Sequence, residues 1–141
     1  MKESTIVRRV DRFLKEDGMV TAREVPLGRK KIDLVAVDPR SRRVTAVEAK
    51  VRDWRSGLRQ ALIYRLCANR VYLAVEERFS RNPDEDALAG YGVGLIAVDG
   101  QATVVTKARE SGIIHVGLLQ EVRNLVEHRA KHNGGTGGGG S

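Results

Sequence analysis

Three ionisable residues interrupt two apolar runs: Asp33 in Lys31-Ile-Asp-Leu-Val-Ala-Val37, and Glu48 and Lys50 in Val44-Thr-Ala-Val-Glu-Ala-Lys50. Both runs read as strands, where a charge is costly unless it is paired or bound to a metal. Side chains alternate along a strand with a period of two, so Glu48 and Lys50 share one face. An acid from a neighbouring strand would bring two carboxylates and an ammonium around one point. Such a group suits a divalent cation, which takes oxygen ligands, and an activated water. The same residues also allow an exposed cross-strand ion pair, worth only about 0.2–1 kcal/mol. The flanking Leu34, Val35, Val37 and Val47 favour strands buried on both faces.

The elements that must position these residues follow from periodicity. Residues 3–17 predict an amphipathic helix, with Ile6, Val7, Val10, Phe13 and Leu14 at helical spacing and Gly18 ending it. One turn before Val7 lies Glu3, which shares the apolar face and also suits the first turn of a helix. Alternation from Met19 to Leu27 predicts a first strand, closed by a turn at Gly28-Arg-Lys. The second strand runs from Lys30 to Val37, and Asp38-Pro-Arg-Ser-Arg forms the turn to a third, Arg43 to Val51. Arg40, Arg42 and Arg43 crowd that turn, either as a solvated tip or as phosphate contacts.

A second helix is predicted over 53–68, basic in its first half through Arg52, Arg55 and Arg59. On it Gln60 and Tyr64, four apart, lie one above the other. Val71–Val75 reads as a buried strand joined to the third by a parallel crossover. A short helix over 83–89 follows, then strands over 93–98 and 102–106 around Asp99-Gly100, a dipeptide suited to a tight turn with positive φ. The stripe Leu118, Leu119, Val122, Leu125 and Val126 predicts a final helix over 117–131, whose apolar face is a candidate dimer surface. Glu24 reads as a structural acid and Cys67 as a core residue.

These elements make one α/β domain over 1–133 with a central mixed sheet. The Gly-rich 134–141 reads as a linker or tag. The net charge is +7, from 25 Lys and Arg against 18 Asp and Glu, and 18 of the cations are Arg. Arg suits phosphate because its planar fork meets two oxygens at once, so a nucleic acid is the favoured partner. Aromatic residues are only 4%, which argues against single-strand binding through base-stacking platforms. Duplex or branched DNA, held by its phosphates, is the better substrate. No apolar run approaches the roughly 20 residues of a membrane span. One cysteine and no apolar leader favour a cytoplasmic setting, and the absence of a G-x-x-x-x-G-K-[ST] loop argues against a nucleotide cofactor.

The set Gly28-Arg-Lys-Lys-Ile-Asp33, Glu48-Ala-Lys50 and Gln60-x-x-x-Tyr64 resembles the PD-(D/E)XK nuclease superfamily. That superfamily includes restriction endonucleases, archaeal Holliday junction resolvases and a RecB-like branch. The resemblance spans about residues 3–76, with Ile32 standing where the motif carries Pro. It implies a restriction-endonuclease-like αβββαβ core, here followed by a β-hairpin and a helix. It implies Mg²⁺ or Mn²⁺ held by Asp33, Glu48 and the carbonyl of Ala49, with Glu3 as an additional helix acid. Lys50 would assist the attacking water, and Gln60 and Tyr64 would lie beside the site. Arg29, Lys30, Lys31, Arg52, Arg55, Arg59 and Tyr64 are candidate DNA contacts, with Arg40 and Arg42 less committed. The expected function is a metal-dependent DNA endonuclease acting as a homodimer. The alternative is a catalytically inactive DNA-binding protein or complex subunit that keeps the fold.

Overall fold

Six strands lie side by side in chain order, β1 to β6, so every strand in the sheet neighbours its predecessor in sequence. The computed structural model describes the backbone of residues 1–140 and the side chains of residues 1–132. The elements are α1 (Glu3–Glu16), β1 (Val20–Leu27), β2 (Lys30–Val37), β3 (Val44–Lys50), α2 (Trp54–Tyr64), β4 (Arg70–Glu76), α3 (Glu85–Tyr91), β5 (Gly94–Val98), β6 (Ala102–Thr106) and α4 (Val116–Gly140). The β3–β4 and β4–β5 pairs are parallel and the other three antiparallel, giving the expected mixed sheet. Among the described residues no helix is long and apolar enough to cross a membrane. The Gly-rich stretch from 134, read as a linker, falls outside the residues whose side chains are described.

Each face of the sheet is covered by helix, which is why the central strands read as nearly continuous apolar runs. On one face α1 lays Ile6, Val10 and Leu14, spaced one turn apart, onto Leu34, Val47, Ala74 and Ile96. On the other, α2, α3 and α4 contribute Leu58, Tyr64, Leu88, Val122 and Val126 to a core with Val35, Ala46, Leu73 and Val75. The stripe of α4 therefore covers its own sheet. Its Val122 and Val126 are buried there, so the dimer surface read from the sequence is already occupied.

Local chemistry sets the boundaries. Gly18 adopts φ 84° and Met19 N–H returns to the Leu14 carbonyl at 3.0 Å, closing α1. Asp53 caps α2 by accepting from Ser56 N–H at 3.2 Å. That helix ends at Tyr64, earlier than the apolar pattern indicated, because residues 65–67 tighten into turns. Gly28, at φ 61°, makes the two-residue turn between Leu27 and Lys30. The Asp99-Gly100 turn differs from expectation: Val98 pairs with Ala102, leaving three loop residues, and Gly100 is not among the residues with positive φ. The Asp99 side chain accepts from Gln101 N–H at 3.0 Å and holds this longer loop.

Candidate active site

Along β3 the row Val44, Ala46 faces α2, and a period of two carries the next members, Glu48 and Lys50, onto the same side. Val47 and Ala49 face α1. The antiparallel register between β2 and β3 runs from Val37↔Val44 to Leu34↔Val47 and then stops. Beyond that point the strands part, and the gap holds the next residue on each, Asp33 and Glu48.

Asp33 takes over the missing pairing. Its Oδ2 accepts the main-chain N–H of Ala49 at 2.8 Å. In a strand, the N–H and C=O of one residue point toward the same neighbour, so the Ala49 carbonyl also points into the parting. Glu48 is 5% exposed and accepts the Tyr64 hydroxyl at 2.6 Å on its Oε2. Asp33 lies near enough to Glu48 to act on its protonation. Burial, first of all, pushes the Glu48 carboxyl up from the ordinary 4.5 to about 8. Asp33 pushes the same way, while Tyr64 and the charge of Lys50 pull it down. Burial beside these acids also raises the Tyr64 phenol.

Lys50 is half-buried, and α2 approaches its stem through Gly57, where a Cβ would lie 3.0 Å from Lys50 Cγ and 2.5 Å from Leu73 Cδ1. Gln60, one turn before Tyr64 on α2, is half-buried. Arg29, Lys30 and Lys31 are exposed at the β1–β2 turn, and Arg52, Arg55 and Arg59 are exposed along the start of α2. Both groups lie at the end of the sheet where Asp33 and Lys50 stand. Arg40 and Arg42 do not: their turn joins the opposite ends of β2 and β3, about 13 Å from Asp33 at roughly 3.3 Å per residue. Arg42 is moreover engaged by both oxygens of Glu127 on α4, at 2.7 and 3.2 Å. Neither belongs to the site.

Two acids need separate accounts. Glu3 lines a cavity of about 360 Å³ together with Asp33, but the described residues contain no group of three or more His, Cys, Asp or Glu side chains placed to hold a metal. The core of the site is therefore a two-carboxylate one. Glu24, read as merely structural, lines the same cavity and has φ 50°. It and Asp33 are the pair skipped between Arg23↔Leu34 and Val25↔Ile32 in the β1–β2 register. At this point both strands change face in step: Ala22 and Val25, like Ile32 and Val35, enter the same core although three residues separate them. This change of face, at an unchanged register, takes Asp33 out of the simple alternation, and it lines the cavity beneath α1. No sequence signal marks it, because a period of two read through Asp33 looks unbroken.

The donor set fits a hard divalent cation. Mg²⁺ keeps several waters and is commonly held by one or two carboxylates, and a buried carboxyl beside a half-buried one is costly to charge unless a proton or a cation lies between them. No family profile matches the chain, and no curated protein matches it. Among solved structures, the chain is similar to the SPO1766 protein of unknown function from Silicibacter pomeroyi, at 20% identity and a TM-score of 0.74. The match covers 94% of this chain and 89% of that one, so the two share a fold.

Proposed function

We propose that this chain is a metal-dependent endonuclease that hydrolyses phosphodiester bonds in duplex or branched DNA. The observation that carries the reading is the carboxyl pair Asp33–Glu48 at the parting of β2 and β3, with Lys50 two residues further on the Glu48 face. Asp33, Glu48 and the Ala49 carbonyl would hold Mg²⁺ or Mn²⁺. Such an ion, when bound, polarises the phosphodiester and lowers the pKa of a water.

The chain's own residues supply the rest. Asp33 is fixed by Ala49 N–H and Glu48 by Tyr64, so neither carboxylate has to reorganise as charge develops. Lys50 orients the water and offsets negative charge growing on the phosphoryl oxygens. Glu3, across the cavity from Asp33, is an accessory acid in this reading. The exposed cations at the β1–β2 turn and on α2 flank the site and suit the DNA backbone. The reading also includes a homodimer, since one site cuts one strand, and an intracellular setting. Sedimentation of the purified chain tests the dimer.

The test of the activity is nicking of branched, duplex and single-stranded DNA in Mg²⁺ or Mn²⁺. Wild type is expected to nick, with Asp33→Ala and Lys50→Ala inert. No nicking by wild type, or undiminished nicking by either variant, overturns the reading. Binding in EDTA without any cleavage would mark a non-enzymatic DNA-binding protein instead.

A further inference from the structure

Among the described residues, two charged side chains are buried, Glu48 and Asp11, and the proposed reaction uses only the first. Asp11 sits on α1 with 3% of its surface exposed. A buried carboxylate demands compensation. Here Thr21 donates to Oδ1 at 2.5 Å, and Arg23 Nε donates to Oδ2 at 2.9 Å. Lys15 Nζ stands 3.6 Å from the same oxygen.

The consequence falls on Arg23. Its side chain is 49% exposed, its Nε is committed to Asp11, and its two terminal nitrogens make no hydrogen bond among the described residues. A guanidinium held by one edge keeps the other for a second anion, and its planar fork suits two phosphate oxygens. Arg23 also borders two adjoining cavities. One is the 360 Å³ space that contains Asp33. The other, about 420 Å³, is lined besides by Arg8, Asp11, Arg12, Lys15 and Glu16. That second wall carries four cations against two carboxylates, one of them the buried and paired Asp11. Arg8, Arg12 and Lys15 recur at spacings of four and three, so they share one face of α1 and span about 10 Å at 1.5 Å per residue.

We propose that Arg23, positioned by Asp11, binds a backbone phosphate next to the bond cut at Asp33 and Glu48, and that Arg8, Arg12 and Lys15 carry the same DNA strand along α1. This extends the nuclease reading and rests on it for the identity of the polyanion. It adds to the site a binding surface on the α1 face of the sheet, opposite α2 and its cations.

The probe is a DNA duplex titrated at several salt concentrations in EDTA, so that no cleavage intervenes. Neutralising one cation that pairs with a phosphate should reduce the slope of log affinity against log salt by about 0.9. Arg23→Gln is expected to lower the slope by about that amount, and R8Q/R12Q/K15Q by roughly 2–3. Lys107→Gln, the same charge change beyond β6 at the far edge of the sheet, should leave the slope unchanged. Arg23→Lys should keep the slope and weaken affinity, because the charge stays and the fork is lost. Asp11→Asn should behave like Arg23→Lys, with circular dichroism confirming the fold. The proposal is overturned if the Arg23→Gln or triple-variant slope equals that of wild type, or if Lys107→Gln lowers it as much. Nicking by wild type in Mg²⁺ is read separately. Its absence beside a reduced slope sinks the nuclease reading and leaves the strand path standing.

Discussion

Tyr64 donates its hydroxyl to Glu48 at 2.6 Å from a position 1% exposed to solvent, so a helix buried against the sheet holds the acid in place. Removing the hydroxyl alone should be felt at both ends of the bond. Tyr64→Phe keeps the ring in the core but deprives a buried carboxyl of its donor, which costs about 1–3 kcal/mol. The Glu48 carboxyl should titrate higher still, since Tyr64 is one of the two groups lowering it. Urea unfolding reads the first effect, and NMR titration of labelled carboxyls reads the second.

The carboxyl pair makes stability depend on pH in a defined direction. With its pKa raised in the folded state to about 8 from the ordinary 4.5, Glu48 holds a proton that the unfolded chain releases. Its contribution is therefore complete below about pH 4.5 and is lost as pH rises through about 8. In EDTA, the stability of wild type relative to Glu48→Gln should fall across that window. Millimolar Mg²⁺ at pH 8 should recover stability in wild type only, by binding the folded state. A constant difference between the two proteins would refute the assignment.

Gly57 is the point where α2 comes down on Lys50. Gly57→Ala would set a Cβ 2.5 Å from Leu73 Cδ1 and 3.0 Å from Lys50 Cγ, forcing both side chains to move. Such overpacking costs about 1–3 kcal/mol. The nicking rate should drop by about tenfold or more, because small displacements of a catalytic group are expensive. Comparing rate with melting temperature separates the two effects.

Arg42→Ala should lower the melting temperature slightly by freeing Glu127, and should leave the affinity for duplex DNA unchanged. An affinity loss matching that of Arg55→Ala would return the β2–β3 turn to the binding surface.

Most of the sheet was legible because its interior strands satisfy two conditions at once, apolar on both faces and bounded by turn residues. β2 matches its expected span, Lys30 to Val37, for that reason. The β1–β2 turn followed from Gly28, whereas Asp99-Gly100 misled because the Asp99 side chain holds a looser loop than the dipeptide alone prefers. Glu48 and Lys50 could be placed on one face by counting. Asp33 could not, because its orientation depends on β1 and β2 changing face together around Glu24 while keeping their register, a relation between strands rather than within one. Asp11 escaped notice for a similar reason. On a helical wheel it is an ordinary polar residue, and only Thr21 and Arg23, brought by β1, make it a buried one.

The chain-order sheet bears on how the molecule comes into being. Neighbouring strands are neighbours in sequence, so each can add to an existing edge with little loop-closure entropy, and growth can follow synthesis from the ribosome. Asp33, Glu48, Lys50 and Tyr64 would meet once β4 is made. However, α4, which contributes Val122 and Val126 to the core around Val25 and Ile32, arrives last. While α4 is still unmade, the apolar face that Val122 and Val126 cover would stand open to solvent.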